Sequence, residues 1–138
     1  MTYSPLVLEH FQRARNVGDL PDANAVFTVV NPACGDTLEL SLRVENEVIT
    51  QARFRAKGCV PTIACASRIT EMIQGITTAE ARGLTRSALI DSLGGLPSAS
   101  HHAAQLCIDV LRLALSKTRT EAATTPSHAA AASAGSVE

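Results

Sequence analysis

Cys34 and Asp36 stand two residues apart in the segment Asn31-Pro32-Ala33-Cys34-Gly35-Asp36, where Pro32 and Gly35 break the regular backbone. A turn of this kind aims a thiolate and a carboxylate towards one point. A second Gly-Cys pair follows at Gly58-Cys59, and a His-His pair at His101-His102. Thiolate, carboxylate and imidazole together form a donor set for soft or borderline metals, with Zn2+ and iron–sulfur clusters the usual occupants of thiolate sites. The three short polar sites read as parts of one metal site: Cys34 and Cys59 supply sulfur, Asp36 an oxygen and His102 a ring nitrogen.

The elements around these residues favour that assembly. Residues 4–15 read as a short helix, with Ser4 as cap, Pro5 in the first turn and an apolar side of Leu6, Leu8 and Phe11, ended by Asn16-Val17-Gly18. Val26, Phe27, Val29 and Val30 form a β-prone run that stops at Pro32. Leu38, Leu40, Leu42 and Val44 alternate with Glu39, Ser41, Arg43 and Glu45, the period of a strand with one buried face. After a turn at Glu45-Asn46-Glu47, Val48, Ala52, Phe54 and Ala56 are expected inside and Ile49, Gln51, Arg53 and Arg55 outside. Cys34 lies just before the first strand of this hairpin and Cys59 just after the second, and a hairpin sets those two ends side by side.

Beyond Cys59 the period becomes helical. Pro61 suits a first turn, and Thr62, Cys65, Ala66, Ile69, Met72 and Ile73 fall on one stripe that Gly75 closes. The N-terminus of this helix favours negative charge, which suits a thiolate at Cys59. Thr77 or Thr78 caps a short helix, and Thr85 to Leu93 forms another. After the break at Gly94-Gly95-Leu96-Pro97, Ser98 or Ser100 caps the longest helix. It runs to about Lys117 on a stripe of Ala99, Ala103, Leu106, Cys107, Val110, Leu113 and Ala114. The fold class is therefore α+β: a small three-stranded antiparallel sheet with helices packed on it. Residues 1–117 form the domain. Residues 118–138 shift to Ala, Ser and Thr and are expected to be a disordered tail.

Bulk composition removes several function classes. A chain of 138 residues, 46% apolar, suits one domain with a substantial core, and with 3% aromatics that core must be aliphatic. Twelve basic and thirteen acidic residues leave a net charge of −1, which points to neither nucleic acid nor a membrane surface. No apolar run approaches the roughly 18 residues of a spanning helix. The segment Met1–His10 carries Glu9 and lacks a basic and apolar leader pattern. The four cysteines, in a chain with enough core to need no staples, are expected to be reduced thiols of a cytoplasmic protein.

The bland alternatives differ from residue to residue. Cys65 and Cys107 lie on apolar stripes and read as small core residues. Asp36 could be a turn residue bonding its own backbone, and His101 and His102 could be surface caps. His10 and His128 have no pattern that makes them ligands.

Several segments in order resemble the iron–sulfur cluster assembly scaffolds, the IscU-like proteins that include the N-terminal domain of NifU. The resemblance spans residues 5–115. His10-Phe11 with Arg15-Asn16-Val17-Gly18 is similar to the family's N-terminal signature, with Ala14 where proline is usual. Asn31 to Asp36 resembles its first cysteine motif, and Ala52-Arg53-Phe54-Arg55-Ala56-Lys57-Gly58-Cys59 its second. A helix of small residues through Ala64 and Ser67 follows, and Leu93-Gly94-Gly95-Leu96-Pro97 resembles the approach to the third motif.

The resemblance implies a non-enzymatic scaffold that builds a nascent [2Fe–2S] cluster and passes it to apo iron–sulfur proteins. Its implied partners are a cysteine desulfurase, an electron donor and those acceptors, with room for a homo-oligomer. Carried over, the ligand residues are Cys34, Asp36, Cys59 and His102. The family's third cysteine is absent, because this chain reads His102-Ala103. His102 is the preferred replacement. Cys107, one turn beyond Ala103, or a partner's side chain are the alternatives. The chaperone-docking Leu-Pro-Pro-Val-Lys of the IscU type is reduced to Leu96-Pro97, so no such chaperone is expected. The competing function is a Zn2+-binding persulfide relay of the SufU type, although the insertion and third cysteine usual there are missing. A degenerate partner-binding member and a Cys59–His102 hydrolase complete the alternatives. The latter lacks any evident oxyanion-hole motif.

Overall fold

The computed structural model describes residues 3–31 and 35–123. Helix α1 (Pro5–Gln12) begins at Ser4, whose hydroxyl accepts the Val7 N–H at 3.1 Å. Three antiparallel strands follow: β1 (Ala25–Val30), β2 (Thr37–Glu45) and β3 (Val48–Lys57), in the order β1-β2-β3. Four helices complete the domain: α2 (Val60–Ile73), α3 (Thr78–Arg82), α4 (Arg86–Ser92) and α5 (His101–Ala123). The expected α+β architecture is thus present. Helix α1 ends at Gln12, short of the expected boundary at residue 15, and Arg13 closes it by donating to Glu9 O.

The inner face of the sheet follows from alternation. Leu38, Leu40, Leu42 and Val44 of β2 are all buried, as their period requires. In β3 the expected assignment of the first residues is reversed. Ile49 is fully buried and Val48 only half-buried. The cause is a bulge: Val44 pairs with Ile49 and Arg43 with Gln51, so Thr50 is an extra residue that shifts the phase by one. Beyond it, Ala52 and Phe54 point inward as expected.

Helices α2 and α5 cover this inner face. The expected stripe on α2 proves too narrow. Ala64, Ser67 and Thr70 are buried alongside Thr62, Cys65, Ala66, Ile69 and Ile73, whereas Met72 is only half-buried. The small side chains among these, Thr62, Ala64, Cys65, Ala66, Ser67 and Thr70, let the helix sit between sheet, α1 and α5. On α5, Ala104, Ile108, Leu111 and Leu115 widen the apolar face, while Ala99 is exposed in a 3-10 turn over Ser98–Ser100. The helix continues past the Lys117 end expected from composition, to Ala123. Residues 124–138 lie outside the described residues.

The N-terminal segment is tied to α2 and to the outer edge of β3. Val17 makes a parallel bridge to Phe54, with the Gly18 N–H donating to Phe54 O at 2.9 Å. His10 is buried against Ser67, with Nδ1 2.8 Å from the hydroxyl. Arg15 Nη1, which can only donate, also faces Nδ1 at 3.3 Å, so Nδ1 accepts and the ring proton sits on Nε2. That nitrogen faces Glu71 Oε1 at 3.4 Å. Burial is the main influence on this ring and lowers its pKa from 6.5, outweighing Glu71.

Among the described residues, no helix is long and apolar enough to cross a membrane.

Candidate metal centre

The β1–β2 loop is closed by its own backbone. Asn31 N–H donates to Asp36 O at 2.8 Å, and Gly35 N–H donates to Asn31 O at 2.7 Å. Gly35 takes a φ of 79°, a left-handed conformation suited to glycine. Asp36 then enters β2 directly before Thr37, which pairs with Lys57 at the end of β3. The register therefore sets Asp36 opposite Gly58. Asp36 is buried, at 6% exposure, so its carboxylate is held inside the protein rather than in solvent.

Gly58 makes that burial possible. A Cβ built there would lie 2.6 Å from Asp36 Cγ and 2.8 and 3.0 Å from its two oxygens. The carboxylate occupies the volume that any other residue at position 58 would fill.

Cys59 follows as the N-cap of α2, with no side-chain capping bond to the helix. Cys59 is exposed, and its thiol donates to Asp36 Oδ2 across 3.3 Å. Bond lengths of about 2.3 Å for zinc–sulfur and about 2.0–2.2 Å for zinc–oxygen place two ligands of one tetrahedral ion about 3.5 Å apart. The observed spacing is close to that value, so these two atoms already stand as ligands of one ion would.

His102 reaches the same point from the first turn of α5. One ligand atom each from Asp36, Cys59 and His102 lie within 4.8 Å of one another. His102 Nδ1 faces the Ala99 carbonyl at 3.2 Å. A carbonyl only accepts, so Nδ1 carries the proton and Nε2 keeps its lone pair. This is the arrangement in which backbone fixes the tautomer of a metal-binding histidine. His102 is exposed and also lines an open groove of about 820 Å³ along α5, so the site is reachable from solvent. The neighbouring His101 turns away, with Nε2 donating to Leu96 O at 3.1 Å.

Of the residues singled out in the sequence, Asp36, Cys59 and His102 are brought together, and Cys34 lies outside the described residues. Cys107 sits elsewhere. It is fully buried beside Cys65 on α2, and a hydrogen bond with Cys65, then burial, push its thiol pKa well up. A thiol held protonated in this way is a poor metal ligand.

One residue escaped the sequence reading. Thr62, read there only as part of an apolar stripe, donates its hydroxyl to Asp36 Oδ2 at 2.6 Å and lies 3.3 Å from Cys59 Sγ. The available signal was a hydroxyl three residues into a helix capped by a ligand cysteine, on the face that turns back to the cap.

The sequence matches the family model for the NifU-like N-terminal domain over residues 2–125. An iron–sulfur cluster assembly scaffold protein IscU of Archaeoglobus fulgidus is 43% identical over 113 residues, covering 82% of this chain and 74% of the relative. The IscU scaffold of Aquifex aeolicus is 42% identical over 115 residues, covering 82% and 73%. That of Haemophilus influenzae is 36% identical over 119 residues, covering 83% and 94%. In fold, the chain resembles the N-terminal part of a NifU-like protein from Brucella abortus, with a TM-score of 0.70 at 21% identity over 83% of this chain and 92% of that one. It also resembles a putative SufU scaffold from Fervidobacterium islandicum, with a TM-score of 0.68 at 20% identity over 82% and 96%.

Proposed function

The chain belongs to the family of NifU-like N-terminal domains, and from that premise we propose that it is a scaffold on which an iron–sulfur cluster is assembled before passing to an acceptor protein. The observation that carries this reading is the convergence of Asp36, Cys59 and His102, from three separate segments, to within 4.8 Å. The cluster is cargo rather than a resident cofactor. Sulfur comes from a cysteine desulfurase, reducing equivalents from an electron donor, and the finished cluster goes to apo iron–sulfur proteins. The cytoplasmic setting expected from the reduced cysteines belongs to the same proposal.

In this reading Cys34, Asp36, Cys59 and His102 hold a [2Fe–2S] cluster. The two thiolates provide the strong bonds to iron. The carboxylate oxygen is the weaker partner for a soft centre, so a cluster held through Asp36 is easier to surrender than one in an all-thiolate cage. The imidazole replaces the sulfur that Ala103 cannot offer, and histidine ligation raises a cluster's potential. The choice of His102 over Cys107 is supported by the free Nε2 of the first and the protonated, buried thiol of the second. The same donor set suits tetrahedral Zn2+, which is the expected occupant when iron and sulfide are absent.

Anaerobic reconstitution with iron, cysteine and a desulfurase tests the proposal. A scaffold gains about two irons and two sulfides per site and gives them up to an apo-ferredoxin. Retained zinc together with a persulfide on one cysteine, and no transferable cluster, would replace this reading with that of a sulfur relay.

A further inference from the structure

The ligand atoms of a metal site are only as well placed as the groups that hold them. Asp36 is the buried ligand of this site, and its carboxylate needs fixing about its last torsion as well as enclosure. Gly58 supplies space on one side. On the other side stands Thr62, a fully buried hydroxyl in the first turn of α2.

Resting on the reading of Asp36 and Cys59 as ligands, we propose that Thr62 is the positioning residue of the site, holding the Asp36 carboxylate in its ligating orientation. A threonine hydroxyl carries one proton. At 2.6 Å from Oδ2, that proton is committed to Asp36. The Cys59 thiol donates its own proton to the same Oδ2 at 3.3 Å, so both protons converge on Asp36 and the 3.3 Å approach of Sγ to the Thr62 oxygen is a packing contact. Asp36 Oδ2, Cys59 Sγ and Thr62 Oγ1 thus form a closed triangle with sides of 2.6, 3.3 and 3.3 Å. A carboxylate oxygen has two lone pairs, so Oδ2 accepts from the Thr62 hydroxyl on one and from the Cys59 thiol on the other, the one that loss of the thiol proton makes available to a metal.

The triangle also links the site to the helix. Thr62 and Cys59 share the first turn of α2, with Ile63 N–H donating to Cys59 O at 3.2 Å. When α2 forms, it delivers the sulfur and the donor for Asp36 as one rigid unit. Without the hydroxyl, Asp36 Oδ2 would lose its shortest bond, at 2.6 Å, in a buried place, and with it one restraint on the carboxylate's orientation towards the sulfur.

The test is Zn2+ affinity by chelator competition, with Co2+ absorption as a spectroscopic reading, on the wild type, Thr62→Val, Thr62→Ser and Asp36→Ala. Thr62→Val keeps the shape of the side chain and removes the proton; Thr62→Ala reads the same quantity if valine prevents folding. Loss of a group that orients a ligand weakens metal binding about 10- to 100-fold. We expect that loss for Thr62→Val, near wild-type affinity for Thr62→Ser, and altered Co2+ d–d bands in folded, saturated Thr62→Val. Unchanged affinity and spectrum in Thr62→Val, alongside a loss of at least tenfold in Asp36→Ala, would overturn the role of Thr62 alone. Unchanged affinity in Asp36→Ala would overturn the ligand reading beneath it, and the role of Thr62 with it.

Discussion

The Asp36 carboxyl carbon stands 2.6 Å from the point where a Gly58 side chain would begin. The end of the β2–β3 hairpin is therefore built around a carboxylate in place of a Cβ. Gly58 lies outside the left-handed region of φ, so the backbone there would accept alanine and the collision is purely one of space. Gly58→Ala must displace Asp36 from Cys59. The expected result is a Zn2+ affinity at least about tenfold weaker, the scale of a misplaced ligand, with an unchanged far-UV circular dichroism spectrum.

Cys107 is a core residue, and its replacement should affect stability rather than metal. Cys107→Ala removes a buried sulfur beside Cys65 and should cost about 1–2 kcal/mol by chemical denaturation, as for other small core truncations. Iron and sulfide bound after reconstitution should match the wild type. A folded Cys107→Ala protein that binds no cluster would make Cys107 the replacement for the missing third cysteine.

His10 gives the fold a pH dependence whose sign follows from its burial. Its pKa is lowered in the folded protein from the 6.5 of the free side chain, mainly by desolvation, with Glu71, Arg15, Arg68 and Glu9 around it. The unfolded chain therefore binds a proton more readily. The associated stability is complete above about pH 6.5 and is lost as pH falls through the folded pKa, at no more than about 1.4 kcal/mol per pH unit. Urea midpoints should fall between pH 7.5 and 5.5, and His10→Gln should flatten that dependence while lowering stability at neutral pH.

The β2–β3 turn carries avoidable strain. Asn46 and Glu47 have φ of 53° and 63°, the type I′ pattern that favours Asn-Gly. Glu47→Gly should raise stability by about 1 kcal/mol, since a side chain in this region costs roughly 1–2 kcal/mol. Thermal melting checks it. The bond from Thr78 N–H to Glu47 O uses only backbone and should survive.

The sequence made some of this structure legible and hid the rest for identifiable reasons. The alternation of Leu38 to Val44 named β2 and its inner face, and the hairpin it implied put Asp36 beside Cys59. Val48-Ile49-Thr50 misled because three β-branched residues carry no polar contrast, so the bulge at Thr50 left no mark. Ser98 and Ser100 looked like helix caps. They form instead a 3-10 turn, and its Ala99 carbonyl orients His102. His102 could not be distinguished from a surface cap by spacing, because α5 meets the sheet only through tertiary packing. Thr62 was hidden by its own burial, which made a hydroxyl look like one more core position.

The proposed site holds two sulfurs, one oxygen and one nitrogen, from Cys34, Cys59, Asp36 and His102. Zinc K-edge X-ray absorption on the zinc-loaded full chain measures that donor set directly. Two sulfur neighbours at about 2.3 Å and two nitrogen or oxygen neighbours at about 2.0–2.2 Å are expected, with one light neighbour lost or replaced by water in His102→Ala. Three or more sulfur neighbours, whether from Cys107 or Cys65 leaving the core or from a partner's cysteine, would contradict it.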